Sequence, residues 1–302
     1  MSPPLHIRAP DHLGDGVLAL PAMRALAELG PLRISGPRWV DTLYRDLRPP
    51  RPVAGKAALA VLLKPSFSAA LRSLSVPRRV GLATDGRWAL LTDAVAPGGR
   101  HRLDDYNRVA RTAGATVQGL PRFPTREGDF GAAPTLAPGT VLLLPGSRGG
   151  DAVEWTGFPM LADILVGQGH AVAFAGGPAE EAWLEEVAGD HPLLPSLPLH
   201  AFAAATIRAS AVVGNDSGLT HLAAAARRAA SVRVDAVHVV CGGTDPARTA
   251  APGARHWRAH PPPSCWPCYR KTCALDRACF TTSPVDVADA LSQARRDGVR
   301  SR

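Results

Sequence analysis

Short apolar, β-like runs alternate with helical segments along this chain, and they do so in two successive series. That alternation restricts the chain to a parallel α/β architecture. In the first series Leu5 to Ala9, Pro31 to Ser35, Ala58 to Leu63 and Arg79 to Leu82 read as strands. Helices are expected over Val17 to Leu29, near Trp39 to Leu47 and over Asp104 to Ala113. Pro121 to Gly139 is rich in Pro, Gly and Ala, carries no helical period and reads as a linker. Behind it Val141 to Leu144, Ala171 to Ala175, Ala211 to Val213 and Ala236 to Val240 read as strands. Helices are expected over Phe158 to Gly167, Ala179 to Ala188, Phe202 to Arg208, Leu219 to Arg228 and Pro284 to Arg296. The expected organisation is therefore two Rossmann-like domains, 1–128 and 129–283, facing across a cleft. A closing segment, 284–302, is expected to be a helix that can pack back on the first domain. In such folds ligands bind at the carboxyl ends of the strands.

With 302 residues, 46% of them apolar, there is material for two cores. No run reaches the ~20 apolar residues of a membrane span, and Met1-Ser2-Pro3-Pro4 does not resemble a signal peptide. The expectation is a cytoplasmic protein. The formal charge of +8 favours anionic partners: nucleotides, phosphates or an anionic membrane face. Aromatic residues make up 5% of the chain and no aromatic-plus-basic strand pattern is present, so no nucleic-acid partner is expected.

Four motifs carry chemistry. The sharpest is Gly214-Asn215-Asp216-Ser217-Gly218-Leu219-Thr220-His221, a strand, a glycine turn and a helix that Ser217 can cap. Backbone N–H groups and a dipole at a helix start bind phosphate. Gly218 lets phosphate approach, Asp216 can accept from sugar hydroxyls, and His221 lies one turn into the helix. An ordinary capped strand-to-helix turn has the same composition. The second motif is Leu144-Pro145-Gly146-Ser147-Arg148, offering a neutral donor and a planar cation to phosphate oxygens, or simply a solvated surface turn. The third is His12-Leu13-Gly14-Asp15-Gly16, directly after the first strand. There Asp15 is either a general base for an acceptor hydroxyl or a helix-capping residue. The fourth is Cys265-x₂-Cys268-x₄-Cys273-x₅-Cys279. This spacing is compatible with a structural Zn²⁺ or an iron–sulfur cluster, with free thiols, or with two disulfides that a reducing cytosol disfavours. Cys241, in an expected strand, reads as a small core residue.

In order and spacing the motifs resemble glycosyltransferase family 9, the lipopolysaccharide heptosyltransferases, from about Leu5 to Arg296. The resemblance runs through His12-Leu13-Gly14-Asp15 with Leu20-Pro21-Ala22-Met23-Arg24, Arg79-Val80-Gly81-Leu82, Gly99-Arg100-His101 to Tyr106, Pro145-Gly146-Ser147, Gly176-Gly177-Pro178, Gly214 to Gly218 with His221, and Gly243-Thr244-Asp245-Pro246. It implies a GT-B fold with an N-terminal acceptor domain and a C-terminal domain for ADP-heptose. Transfer would be inverting, with no cofactor required, to a cell-envelope glycolipid or glycan, with peripheral contact to the inner membrane face. By position, Asp15 would be the base. Ser147, Ser217, Gly218 and His221 would hold the diphosphate, Asp216 would touch the donor sugar, and Arg148 and Gly177 are further candidates for binding the donor. Two alternatives stand beside this reading: a GT-B sugar-nucleotide epimerase, and an inactive member acting as a binding or scaffolding subunit.

Three places depart from the family's pattern. Val153 stands where a lysine is expected, which leaves Arg148 as the diphosphate cation. His200 replaces a glutamate that would hold the donor ribose. Ala225 to Val237, with Arg227, Arg228 and Arg233, reads as a solvated or anion-facing insertion.

Overall fold

A computed structural model describes residues 3–49, 54–147, 154–270 and 272–300, with side chains as far as residue 293. The chain forms two compact units, Met1–Arg122 and Phe123–Arg302.

The first unit runs β1 (Leu5–Arg8), α1 (Leu13–Leu18), α2 (Leu20–Leu29), β2 (Leu32–Ser35), α3 (Val40–Leu43), β3 (Leu59–Leu62), α4 (Phe67–Arg72), β4 (Arg78–Leu82), β5 (Asp93–Val95) and α5 (Arg102–Thr112). Single 3-10 turns follow α3 and β4, at Arg45–Leu47 and Arg87–Leu90. The expected helix over Val17 to Leu29 is broken at Ala19. Pro21 lies at the start of α2 and brings no N–H for the carbonyl of Val17, so the helix restarts instead of continuing.

The second unit runs α6 (Glu127–Ala132), β6 (Val141–Leu144), α7 (Phe158–Gly167), β7 (Val172–Phe174), α8 (Glu181–Ala188), α9 (Leu199–Arg208), β8 (Ala211–Asn215), α10 (Gly218–Ala229), β9 (Val237–Val240), α11 (Pro246–Thr249), β10 (Arg255–Trp257) and α12 (Pro284–Arg300). The segment expected to be a bare linker is part of this unit. Phe123 is buried and its N–H donates to the Ala225 carbonyl at 3.0 Å. α6 packs on α9. A buried aromatic and a capped short helix outweigh the Pro/Gly texture that suggested free chain.

All ladders in both sheets are parallel. The orders are β2-β1-β3-β4-β5 and β10-β9-β8-β6-β7. Counted from its own first strand, the second sheet repeats the order of the first. Each sheet therefore reverses its winding once, between β1 and β3 in the first unit and between β6 and β8 in the second. The loops leaving the carboxyl ends of those strands flank the crevice where such folds take ligands.

Valine- and leucine-rich strands buried on both faces form the sheet centres, as covered parallel strands require. In the second unit Val141, Leu143, Val213 and Val240 pack with Phe158, Leu161 and Leu165 of α7. Each large side chain so buried contributes ~1.5–3 kcal/mol relative to exposure. The same core takes Val287, Ala288 and Leu291 from α12. As far as Leu291, the closing helix thus spends apolar side chains on the core of its own unit.

Candidate active site

In the first unit the crevice is formed by the loops after β1 and β3. Asp15 lies in the first turn of α1 rather than in the preceding loop. Gly16 is required beside it, because a Cβ there would overlap the Trp39 ring. The Tyr44 hydroxyl donates to the Gly16 carbonyl at 2.8 Å and locks this turn against α3. The Asp15 side chain is only 12% exposed and meets Arg102. Arg102 Nη1 donates to Oδ1 at 3.0 Å and to Oδ2 at 2.8 Å. One turn further along α5, Tyr106 is buried and hydrogen-bonded to both residues. Burial, then the Asp15 charge, push its hydroxyl well above the ordinary range, so it stays a neutral donor. Asp15 is therefore a carboxylate held in a fixed orientation.

Further along the same edge Arg8 Nη2 donates to Asp11 at 2.7 Å, and Lys64 also pairs with Asp11. Burial pushes the Asp11 carboxyl up, but Lys64 and Arg8 outweigh it and the group lies below its usual value. Arg87, just past β4, is fully buried. Its Nη1 donates to the Lys64 carbonyl at 2.7 Å, while Nε and Nη2 have no partner among the described residues. Two unpaired N–H groups on a buried cation are costly unless an anion meets them. The sequence reading missed Arg87, and only its nearness to Arg79-Val80-Gly81-Leu82 pointed to the place.

In the second unit the crevice lies between β6 and β8, and the turn Gly214 to Gly218 leaves β8 there. Gly214 is needed because a Cβ would overlap the Thr220 hydroxyl, which donates to the Asn215 carbonyl at 2.8 Å. Asn215 is fully buried and fastens this turn to the neighbouring loop. It donates to the Pro145 carbonyl at 2.5 Å and accepts from the Trp155 N–H at 3.1 Å. Ser217 is the extended N-cap residue of α10, yet its side chain makes no cap bond. It lies 3.2 Å from the Thr220 hydroxyl instead. Among the described residues the first N–H groups of α10 thus receive no side-chain acceptor and, with the helix dipole, offer an anion site.

Asp216 and His221 form a pair in which His221 Nε2 lies 3.2 Å from Asp216 Oδ1. Thr249, from α11, donates to Oδ2 at 2.9 Å. Burial alone would raise the Asp216 carboxyl, but the His221 bond, aided by Thr249, brings it below its ordinary value. Thr249 was not singled out from the sequence, since nothing in α11 marks it as a partner of a residue 33 positions away. Gly177 N–H donates to Glu180 Oε2 at 2.9 Å, and that carboxylate also lies against Gly146. Ser147 is half-buried at the end of the β6 turn. Arg148 and Val153 lie outside the described residues.

His200 is in the first turn of α9, buried, its ring 4.6 Å from that of Phe123. Arg227 is buried too, and this corrects the reading of Ala225 to Val237 as a solvated or anion-facing insertion. Its Nη1 donates to the carbonyls of Thr206 and Ala209 at 2.7 and 2.9 Å, and its Nε to that of Arg233 at 2.8 Å. It staples the end of α9, whose last carbonyls need donors. Burial lowers its guanidinium to about 10. Arg233, paired with Asp235 at 2.9 Å, is exposed as expected, and Arg228 is half-buried.

Among the described residues no three His, Cys, Asp or Glu side chains are grouped so as to hold an ion. Cys265 is exposed and Cys279 buried. Cys268 is tied through its N–H to the Gly243 carbonyl at 3.0 Å, and Cys273 Sγ accepts from the Arg277 N–H at 3.2 Å. Burial raises the Cys279 thiol, and the charges of Cys273, Cys268 and Cys265 add to that rise, so the four thiols lie in one neighbourhood. Cys241 is a buried core residue whose thiol burial pushes up.

A sequence profile of glycosyltransferase family 9 (heptosyltransferase) matches residues 54–278. No curated protein matches the chain by sequence. Among solved structures, E. coli ADP-heptose LPS heptosyltransferase II superposes with a TM-score of 0.73 at 20% identity, over 97% of this chain and 99% of that one. E. coli heptosyltransferase WaaC with ADP-2-deoxy-2-fluoro heptose gives 0.69 at 16% identity, over 98% and 99%. The iron-containing dodecameric glycosyltransferase TibC from enterotoxigenic E. coli gives 0.65 at 16%, over 98% of this chain and 76% of that one. At these identities the likeness is one of fold, the GT-B fold, while the profile match spans more than half of the chain: the protein belongs to glycosyltransferase family 9.

Proposed function

We propose that the protein transfers a sugar from a nucleotide diphosphate donor to an anionic envelope glycan or glycolipid, with inversion. The observation that carries this reading is the uncapped start of α10 at the winding reversal between β6 and β8. Phosphate there meets backbone N–H groups and a dipole. The donor reading is ADP-heptose, as bound by the structural neighbours named for it, with the second unit as donor domain and the first as acceptor domain. Asp216, held by His221 and Thr249, orients the donor sugar, and Ser147, Ser217, Gly218 and His221 lie along the diphosphate.

In the reaction, Asp15 takes the proton of an acceptor hydroxyl as its oxygen forms a bond to the anomeric carbon. The bond from that carbon to the diphosphate oxygen breaks, and the nucleoside diphosphate leaves with the extra negative charge. Fixed N–H groups at the start of α10 stabilise that charge as it develops, in the place a divalent cation takes in other transferases. Arg87, with two unpaired N–H groups near Lys64, supports an acceptor bearing phosphate or carboxylate.

Calorimetry with ADP-, UDP-, GDP- and dTDP-sugars tests the donor site. Micromolar binding of an ADP-sugar, competed away by free ADP, is the expected result. No binding by any nucleotide sugar would end the proposal.

A further inference from the structure

The first unit carries an apolar stripe that its own fold leaves uncovered. Phe67 and Leu71 are four residues apart on α4, and Leu74 follows three later, so the three share one side of the helix and its exit. All are about half-exposed. The opposite side of α4 is buried: Ala70 packs with Ala60, Leu62, Val76 and Leu91. The 3-10 turn Arg87–Leu90 packs against α4 and adds Trp88, 64% exposed. Four large apolar side chains on two touching elements are more than the scattered exposed residues of an ordinary surface.

Basic side chains outnumber acidic ones around the stripe. Residues 64–88 contain five basic side chains and one acidic, Asp85; Lys64 pairs with Asp11, Arg78 pairs with Asp93 and Arg87 is buried, so the surface surplus is carried by Arg72 and Arg79. Immediately past Leu74, Ser75 enters the rim of an open cavity of about 480 Å³ that is also lined by Arg33, Lys56, Ser35 and His6. Two cations and two hydroxyls make it a place for a phosphate group. The His6 ring lies below its ordinary range through burial, then the charges of Arg33 and Arg8, as a cationic recess requires.

We propose that Phe67, Leu71, Leu74 and Trp88 dock the protein on an anionic phospholipid bilayer, with the adjoining cavity taking a lipid phosphate. Exposed aromatic and leucine side chains beside arginines are the composition of an interfacial segment, entering the boundary between head groups and acyl chains. Among the described residues no helix is long and apolar enough to cross a membrane. A lipid-linked acceptor must then be reached from the surface, and Lys64 and Arg87 place the acceptor edge next to α4. The docking surface rests on the reading of the acceptor as a membrane glycolipid.

Co-sedimentation with vesicles tests it, using phosphatidylcholine with and without phosphatidylglycerol. The full chain is expected to bind the anionic vesicles at least about tenfold more tightly than the neutral ones. Combined Phe67→Ser, Leu71→Ser and Trp88→Ser is expected to weaken that binding at least about tenfold, with nucleotide-sugar binding and melting temperature unchanged. Lys56→Glu is expected to weaken binding to anionic vesicles only. Absence of vesicle binding by the wild type, or equal binding by the triple variant, overturns the proposal. So does a wild-type dimer that the triple variant converts to a monomer in light scattering, since the stripe would then be covered by a second copy. Vesicle binding needs neither donor nor turnover, so its failure leaves the transferase reading to be judged by calorimetry alone.

Discussion

Arg102 Nη1 donates to both carboxylate oxygens of Asp15, at 3.0 and 2.8 Å, although the two residues are 87 positions apart. The pair orients the proposed base while Tyr106 adds a neutral donor beside it. Asp15→Asn keeps the shape and removes the proton acceptor. Steady-state kinetics should show kcat lower by ~10²–10⁴-fold, with donor affinity by calorimetry unchanged. Arg102→Met removes both hydrogen bonds that orient the Asp15 side chain, so kcat should fall at least about tenfold with donor affinity unchanged. An unchanged kcat would remove Arg102 from the catalytic account.

Ser217 sits at the N-cap of α10 without capping it. Ser217→Asp supplies the missing acceptor and should stabilise the helix by ~0.5–2 kcal/mol in urea unfolding. The same carboxylate occupies the place proposed for the donor phosphate, so donor affinity should fall by at least about tenfold. A variant that is stabilised yet binds donor normally would move the diphosphate away from α10.

Thr249→Val removes the donor to a buried carboxylate oxygen of Asp216. An unpaired buried acceptor costs ~1–3 kcal/mol, which denaturant unfolding should register. Donor KM should rise as Asp216 loses one of its restraints, whereas Thr249→Ser should restore both stability and KM.

Arg227→Met deletes donors to three backbone carbonyls that the fold buries. A loss of about 3 kcal/mol or more is expected. Arg233→Gln, at an exposed ion pair, should stay within about 0.5 kcal/mol.

His238 accepts from Trp257 Nε1 at 3.2 Å and is buried in β9. Burial, then Arg255, push its ring from 6.5 to about 4. Below pH 6.5 the unfolded chain takes a proton that the native state refuses, so stability rises with pH across that window. The contribution is full above pH 6.5 and is lost as pH falls towards 4, by about 3 kcal/mol in total. Urea unfolding between pH 7 and 4 should show this slope, flattened in His238→Gln.

Much of the architecture was legible because buried parallel strands and amphipathic helices leave periodic marks. Val141 to Leu144 and Phe158 to Gly167 coincide with β6 and α7. The elements missed are short or at sheet edges. β5, Asp-Ala-Val, and β10, Arg-His-Trp, pair on one side only and need no continuous apolar run. The six-residue α4 turns a stripe outward that a core-seeking reading discounts.

The sequence by itself determined the two α/β series and the turns at their strand ends, because burial period and glycine placement are local properties. It also located Asp15 and the Gly214 to Gly218 turn in order along the chain. Tertiary structure alone decided their partners. Arg102 reaches Asp15, Thr249 and His221 close on Asp216, and Asn215 clasps Pro145 and Trp155, because hydrogen bonds between distant segments follow from how sheets and helices pack. For the same reason Arg227, a surface charge by composition, became a buried staple, and Arg87 a buried cation with N–H groups to spare.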